Sequence, residues 1–261
     1  MRPIVRTRAH RLAALIIATL ANVGASAAET VAVAVATNFA EPAAAIAERF
    51  KARTGHAVLI STGASGALYA QIKAGAPFDV LLSADATRPA DLEREGVGGT
   101  RFTYAIGRLA LWSTDAQRIA GGDGTAALAA VDYRALAIAD PQLAPYGLAA
   151  KQTLARLGLW DAVQSRLVLG KNIGQTHALV ATGNAELGFV ALAALKTKRD
   201  NGAAAAGSMW IVPAEMHDAV RQDAILLASA ADKPAAKAFL DYLRNREARD
   251  LITAFGYAVP E

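Results

Sequence analysis

Four short segments of this sequence place hydroxyl, amide or glycine residues between an apolar run and a helix-like run. They span residues 36–42, 62–67, 141–148 and 171–176. Thr37 and Asn38 in the first segment and Ser65 in the second offer side-chain donors, and Tyr146 stands in the third. Because the first backbone N–H groups of a helix lack intrahelical partners and face the positive end of its dipole, each segment is a candidate anion-binding turn.

Other chemistries are excluded or disfavoured by composition. The chain of 261 residues contains no cysteine, which excludes disulfides, thiolate nucleophiles, iron–sulfur clusters and cysteine-based zinc sites. Its four histidines, His10, His56, His177 and His217, lie at least 40 residues apart and never at the i, i+4 spacing of a helical metal site. A histidine-based metal site is therefore not expected.

Ser65 also admits a different interpretation, as the nucleophile of an exported serine hydrolase. A nucleophile elbow places glycine two residues before and two residues after the serine. Gly63 fits, but position 67 is alanine. His177 is the candidate base, yet it lies within a predicted helix and has no acid placed to orient it. The hydrolase stays an alternative with an incomplete motif.

The elements that position these turns alternate between strands and helices. In the first part of the chain the patterns predict strands at residues 30–36, 57–61 and 80–83 and helices at 43–52 and 68–74. Gly55 is expected to end the first helix, and Asp85 and Thr87 to begin a third that runs to residue 95. This order predicts a doubly wound parallel sheet, whose ligands bind beyond the carboxyl ends of the strands.

The second part of the chain predicts another α/β unit between two extended segments, at residues 104–112 and 209–212. The remaining elements are strands at 135–139, 167–169 and 187–190 and helices at 148–157, 175–182 and 234–254. We therefore expect two α/β lobes joined by a hinge with two crossings. Lobe 1 comprises residues 29–106 and 223–261, and lobe 2 comprises residues 107–222.

The N-terminus has the layout of a secretory signal peptide. Four arginines precede an apolar run at residues 12–23, and the small residues that follow predict cleavage after Ala27 or Ala28. The run is shorter than the roughly 20 residues of a membrane span, although an uncleaved anchor is the alternative. Without these arginines the chain has 23 basic and 23 acidic residues. The sequence thus predicts an exported, periplasmic protein and offers no electrostatic case for nucleic acid.

Several motifs resemble those of the periplasmic molybdate-binding proteins, the ModA family, which deliver molybdate or tungstate to an ABC importer. The stretch QIKAGAPFDVLLSAD at residues 71–85 is the most specific of them, and the resemblance covers essentially the whole mature chain. The other motifs are VATNF at 35–39, GASG at 63–66, ADP and PYG at 139–147, and LGFVA at 187–191.

The resemblance implies a type II periplasmic binding protein, with two α/β lobes built on doubly wound mixed sheets. It implies a non-enzyme, with molybdate or tungstate as ligand rather than cofactor, and molybdenum present only within the oxyanion. The ABC permease is the expected partner, and the protein is expected to be a monomer. Carried over by position, the ligand-binding residues are Asn38, Ser65, Tyr146 and Ile173, the last through its backbone amide, with Thr37 and Ala64 as additional contacts.

One position departs from the family pattern. Many relatives have a ligating tyrosine where this chain has Ala191 and an alanine where it has Tyr146. The phenol donor has thus moved to the other side of the expected pocket. As a hypothesis, closure about crossings near residues 104–108 and 213–223 brings Asn38 and Ser65 against Tyr146 and Ile173. The same fold with sulfate, phosphate, an organic anion or a metal as ligand is the alternative.

Overall fold

A computed structural model describes residues 28–196 and 206–260. The predicted signal peptide, apart from Ala28, lies outside the described residues. Within the described residues, no helix combines the length and apolar character needed to cross a membrane.

The described strands form two five-stranded sheets, one in each lobe. The strands are β1 Thr30–Ala36, β2 Ala57–Gly63, β3 Val80–Leu82, β4 Gly98–Gly107, β5 Leu109–Ser113, β6 Leu136–Ala139, β7 Leu167–Gly170, β8 Leu187–Ala191, β9 Ser208–Ile211 and β10 Val220–Leu227. Lobe 1 holds β1, β2, β3, β4 and β10, and lobe 2 holds β5 to β9.

Both sheets are mixed. The order in lobe 1 is β2-β1-β3-β10-β4, with β1 parallel to β2 and β3 and with β10 antiparallel to both of its neighbours. In lobe 2 the order is β7-β6-β8-β5-β9, and β5 is the strand that runs antiparallel to its neighbours. The expectation of two lobes with mixed sheets, which the family resemblance implied, is confirmed. The wholly parallel sheet predicted from strand order alone is wrong, because β10 returns from lobe 2 and enters between β3 and β4.

Helices follow the parallel strands. The helices described are α1 Ala40–Thr54, α2 Ser65–Lys73, α3 Thr87–Arg94, α4 Gly124–Ala129, α5 Pro145–Arg156, α6 Trp160–Val163, α7 Ile173–Ala181, α8 Pro234–Arg244 and α9 Arg246–Ala254. A short 3-10 turn, Thr37–Phe39, joins β1 to α1.

Four of these helices begin earlier than the sequence pattern predicts. Helices α1, α2 and α5 start three residues before the predicted position, and α7 starts two residues before it. Apolar periodicity marks only the buried face of a helix, whereas the first turns here consist mostly of alanine, glycine, proline and serine. Pro145, which is pre-shaped for the first helical position, opens α5, and Asn172 caps α7. As a consequence, Ser65 and Ile173 are the first residues of their helices.

The lobe 1 core anchors the end of β1. Valines 31, 33 and 35 of β1 are buried together with Phe39, Phe50 and Phe239. The rings of Phe50 and Phe239 meet edge to face, with centroids 5.4 Å apart. Burial of one such side chain contributes about 1.5–3 kcal/mol. The turn that follows β1 is therefore held against a rigid base.

Within the part of the chain that the structure describes, the backbone passes twice between the sheets. The first passage is direct, from β4 through Arg108 into β5, and the second runs through residues 212–219 from β9 to β10. The predicted lobe boundaries at 106/107 and 222/223 stay a prediction. Residues 220–222 lie in β10 and pair with β4.

The single C-terminal helix predicted over residues 234–254 is wrong. Two helices, α8 and α9, occupy this stretch, and Asn245 separates them with an extended backbone (ψ 165°). Its side chain accepts a hydrogen bond from the N–H of Ala248 at 2.9 Å. Asparagine competes for backbone donors in this way and so favours a helix start over a helix interior.

Candidate ligand-binding site

All six residues predicted to bind the ligand line one small cavity between the lobes. About 10 Å³ of it is open to the centre of a water molecule, which is roughly one water position. No side chain in its lining is charged. The lining consists of Ala36, Thr37, Asn38, Gly63, Ala64, Ser65 and Ala84 from lobe 1 and Ala144, Pro145, Tyr146, Asn172 and Ile173 from lobe 2.

Thr37 brings a hydroxyl to the cavity from the end of β1. Its Oγ1 atom is buried and has no hydrogen-bond partner among the described residues. Gly174 of lobe 2 allows this close approach, because a Cβ at that position would lie 2.5 Å from Thr37 Cγ2. A buried hydroxyl without a partner is costly, so Thr37 fits a role in binding an acceptor such as an oxyanion.

Asn38 follows Thr37, and its side chain bonds within the protein. Nδ2 donates to Gln222 Oε1 at 2.9 Å and to the Tyr257 hydroxyl at 3.2 Å, which uses both amide protons. The side-chain donation predicted from the sequence is therefore directed away from the cavity. The backbone N–H of Asn38 lies in the first turn of the 3-10 segment, where helical geometry leaves it without an intrahelical partner.

Ser65 presents a second hydroxyl as the first residue of α2. It is 1% exposed, and its Oγ accepts a hydrogen bond from the N–H of Ala84 at 2.9 Å. This contact orients the oxygen and leaves the hydroxyl proton available for another acceptor. Ala64, at the N-cap position, lines the cavity beside it. The next residue, Gly66, donates its N–H to Leu143 O of lobe 2 at 2.9 Å and so joins the lobes at the cavity's edge.

Tyr146 is the lobe 2 residue with a hydroxyl in the cavity lining. It lies in the first turn of α5, is 1% exposed, and accepts a hydrogen bond from Gln222 Nε2 at 3.3 Å. Burial, with smaller contributions from Tyr257 and Tyr104, raises the pKa of Tyr146 well above its ordinary value. The phenol is therefore protonated at neutral pH and can act as a donor.

Ile173, which was predicted to act through its backbone N–H, also lines the cavity. It is the first residue of α7, and the Asn172 side chain caps that helix by accepting from the N–H of Gln175 at 2.9 Å. Lys171, two residues earlier, is exposed and does not line the cavity. The structure therefore gives no support for a contact between Lys171 and a ligand in this cavity.

The N-terminal ends of helices provide the electrostatic potential that an anion would meet in the cavity. The starts of α2, α5 and α7 and the 3-10 turn leading into α1 all line it. Each helix N-terminus carries the equivalent of about half a positive charge, which favours an anion without any cationic side chain. Among the described residues no cluster of three or more His, Asp or Glu side chains could hold a metal ion.

Comparison with known proteins agrees with this architecture. Residues 31–258 match the model of the bacterial extracellular solute-binding proteins. The molybdate-binding protein ModA of Azotobacter vinelandii is 47% identical over 252 residues, covering 95% of this chain and 98% of that protein. The chain belongs to the ModA family.

Two further relatives agree with this assignment. ModA of Rhodobacter capsulatus is 45% identical over 89% of both chains. The solved structure of the Azotobacter vinelandii periplasmic molybdate-binding protein superposes with a TM-score of 0.83 at 41% identity, covering 88% of this chain and all of that one. The fold class expected from the resemblance, a two-lobed periplasmic binding protein, is confirmed.

Within this ModA family member, a second and larger cavity of about 420 Å³ adjoins the first. It shares Thr37, Asn38 and Ile173 with the smaller cavity, and Ala191 lies in its wall. His177 lines this second cavity and stacks on Trp112, with ring centroids 4.9 Å apart. The base imagined for a serine hydrolase is thus not in the cavity that Ser65 lines.

Three residues next to the site were not predicted from the sequence. Tyr104, Gln222 and Tyr257 form a buried polar layer that contacts Asn38 and Tyr146. Gln222 and Asp223 are polar residues at the start of an apolar run, a pattern that also suits a loop. If β10 had been recognised as a strand in the sequence, Gln222 would have been expected to be buried. A buried polar side chain requires hydrogen-bond partners, so this would have indicated the polar layer.

The buried tyrosines predict a loss of stability in alkali. Burial is the first cause that raises the pKa of Tyr104, Tyr146 and Tyr257 above the ordinary value. Above pH 10 the unfolded chain releases tyrosyl protons that the folded chain keeps, so the free energy of unfolding should fall by about 1.4 kcal/mol per pH unit for each such tyrosine. Below pH 9 these residues should contribute no pH dependence.

Urea denaturation between pH 7 and pH 11 measures this slope. The variant Tyr104→Phe removes one of these protons, so its free energy of unfolding should fall less steeply with pH than that of the wild type, by about 1.4 kcal/mol per pH unit. An identical slope in both proteins would contradict the assignment.

Proposed function

We propose that this chain binds molybdate or tungstate in the interlobe cavity and delivers the anion to an ABC importer. The observation that carries the proposal is a cavity between two lobes, lined by hydroxyls and helix starts and by no charged side chain. The names of the relatives, molybdate-binding proteins at up to 47% identity, support the same ligand.

A donor-lined cavity suits a fully ionised oxyanion. Such an ion has only acceptors, so N–H and O–H groups can satisfy every oxygen, whereas a protonated phosphate also needs an acceptor for its own proton. Each hydrogen bond to a charged group contributes about 1.5–3 kcal/mol net. Six or seven such bonds are sufficient for micromolar or tighter binding after ordering costs.

The proposed donors divide between the lobes. The hydroxyls of Thr37 and Ser65 act from lobe 1 and that of Tyr146 from lobe 2. The backbone N–H groups of Asn38, Ala64 and Ile173 complete the set. In the structure these groups already line one cavity with about one water position open, so the lobes must part slightly to admit the anion. Lobes that settle around the larger molybdate or tungstate ion leave the hydrogen bonds of sulfate too long.

The proposal includes a location and a partner. The signal-like N-terminus supports export to the periplasm, and the resemblance supports a membrane permease that receives the anion from the lobes. The protein acts as a binding protein rather than an enzyme, as a monomer that binds no nucleic acid, and molybdate is its ligand rather than a cofactor.

A thermal-shift experiment on the chain from residue 29 onward tests the ligand. Molybdate or tungstate at 100 times its dissociation constant should stabilise the fold by about 2.7 kcal/mol, which for a chain of this size raises the melting temperature by roughly 5–10 °C. Sulfate, phosphate and chromate at equal concentration are the comparison ions. A larger shift with sulfate or phosphate than with molybdate would refute the proposal and favour another oxyanion.

A further inference from the structure

A short turn of lobe 2, residues 140–143, touches lobe 1 just outside the cavity. Two successive carbonyl oxygens of this turn accept hydrogen bonds from lobe 1. The Gln142 oxygen accepts from the guanidinium of Arg88 at 2.9 Å, and the Leu143 oxygen accepts from the N–H of Gly66 at 2.9 Å. Neither Arg88 nor Gly66 lines the cavity. This contact is therefore separate from the groups proposed to bind the anion.

The contact is joined through the backbone to site residues of both lobes. Gly66 directly follows Ser65, and Leu143 directly precedes Ala144, which lines the cavity. The turn keeps its shape from within, because the Asp140 oxygen accepts from the N–H groups of Leu143 and Ala144 at 3.1 and 2.8 Å. The lobes cannot part at this edge of the cavity while both hydrogen bonds between them persist.

The Arg88 side chain is held on lobe 1 by an ion pair. Its Nη1 pairs with Asp85 Oδ2, and Asp85 Oδ1 accepts from the backbone N–H of Arg88 at 2.8 Å. The two side chains are 23% and 15% exposed, so solvent screens the pair only in part. The other arm of the guanidinium, Nη2, donates to Gln142. A planar group with five N–H donors can hold two such acceptors at once, which the compact ammonium of lysine does less well.

Gly66 allows the two lobes to approach each other this closely. A Cβ at this position would lie 2.9 Å from Arg88 Nη2, 3.0 Å from the Leu143 oxygen and 3.2 Å from Leu143 Cα. Two of these three atoms belong to the backbone of the turn. A larger residue at position 66 would therefore push the turn away from α2 or displace the arginine.

We propose that Arg88 is a positioning residue that holds lobe 2 against lobe 1 and sets the rate at which the bound anion leaves. The inference rests on the proposed function. The hydrogen bond from Arg88 to Gln142 exists only while the lobes are together, so its loss favours opening and speeds release. The anion enters while the lobes are apart, so the association rate should not fall when Arg88 is replaced.

The variant Arg88→Met tests this, because methionine keeps an unbranched apolar stem and removes the charge and the hydrogen bonds. The protein is loaded with radiolabelled molybdate, and an excess of unlabelled molybdate is then added. The label should leave about 3- to 10-fold faster than from the wild type, the effect of one charge-assisted hydrogen bond in a partly exposed position. The dissociation constant from calorimetry then gives the association rate.

Arg94→Met is the matched control. Arg94 lies on the same helix, α3, and pairs with Asp91 three residues earlier, as Arg88 pairs with Asp85. This ion pair lies within lobe 1. Both variants therefore remove one positive charge and one ion pair of the same kind, and they differ in the contact with lobe 2. Dissociation from Arg94→Met should match that of the wild type, and melting temperatures show whether each variant is folded.

Two further variants separate the hydrogen bond from the charge. Arg88→Lys keeps the positive charge without the planar fork, so it should show most of the acceleration expected for Arg88→Met. Gly66→Ala should also speed dissociation, and it tests the contact if Arg88→Met does not fold. A wild-type dissociation rate in folded Arg88→Met or Arg88→Lys would overturn the inference. Slower association as the sole effect would assign Arg88 to long-range attraction of the anion and would overturn it as well.

A measurement without the anion separates this inference from the proposed function. The chain contains no cysteine, so Ala74→Cys and Ala155→Cys, at exposed positions in lobe 1 and lobe 2, can carry two spin labels. Pulsed electron paramagnetic resonance should give a broader distribution of label distances in Arg88→Met than in Arg94→Met. Failure of the wild type to bind molybdate would overturn the proposed function, and broader distances would still support the role of Arg88 in holding the lobes. Distances and dissociation rates that match those of Arg94→Met would overturn the inference alone.

Discussion

Replacement of Ser65 by alanine should weaken molybdate binding about 10- to 100-fold, the effect expected from loss of one charge-assisted hydrogen bond in a buried site. The Ser65 oxygen is already oriented by the N–H of Ala84, so its proton is free for the ligand. The variant also leaves that N–H without its acceptor and should lose about 1–2 kcal/mol of stability. Calorimetry and urea denaturation measure the two effects separately.

Ser113→Ala is the matched control for this prediction. Ser113 is also 1% exposed, and its hydroxyl also accepts a backbone N–H, from Asp115 at 3.2 Å. It stands at the end of β5 and does not line the cavity. We expect a comparable loss of stability with unchanged affinity. If Ser65→Ala binds molybdate like the control, Ser65 is not a ligand-binding residue.

Replacement of Gly107 by alanine should have a larger effect, a loss of about 100-fold or more, because one methyl group disturbs two contacts of the site. A Cβ at Gly107 would overlap the Tyr146 hydroxyl and lie 2.7 Å from Gln222 Nε2. Both belong to packed, buried side chains, so Tyr146 must move out of its position. Gly107 also ends β4 at the first passage between the lobes, where a displaced ring opposes closure.

Gly99→Ala on the same strand provides the comparison. The nearest atom to an added Cβ there is the Leu226 oxygen at 3.9 Å, an ordinary contact. Affinity should be unchanged. In the background of Tyr146→Phe the overlap with the hydroxyl is gone, whereas the contacts with the ring Cζ at 2.8 Å and with Gln222 Nε2 at 2.7 Å remain, so Gly107→Ala should cost less affinity than in the wild type but still some. Equal costs in both backgrounds would show that the methyl group acts by another route.

Much of the fold was predictable because its signals are local. Strand β1 was predicted with its observed bounds from a run of valine and alanine, and Gly55 ends α1 in the left-handed conformation (φ 78°) that glycine tolerates. Strand β10 was missed because its polar start resembles the loop before it. Its position between β3 and β4 depends on contacts with residues more than 100 positions earlier in the chain.

The candidate site shows the same difference between features with local sequence signals and features that depend on long-range contacts. The turns that line the cavity were predicted, because strand ends and helix starts leave clear local patterns, and the resemblance added Ile173 and the ligand. The direction in which Asn38 points was not predictable. It depends on Gln222 and Tyr257, which lie 184 and 219 residues away in sequence, and only the folded chain brings these groups together.

The uncharged cavity lining has a consequence for unloading. An anion held by helix starts, by the hydroxyls of Thr37 and Ser65 and by a tyrosine whose pKa is raised by burial would face no group that mild acid or base can switch off, and salt screens buried dipoles weakly. Release of the anion then depends on a movement of the two lobes. The lobes must part, which breaks the hydrogen bond between Gly66 and Leu143, so the transporter that we propose as partner would collect the anion only from an opened protein.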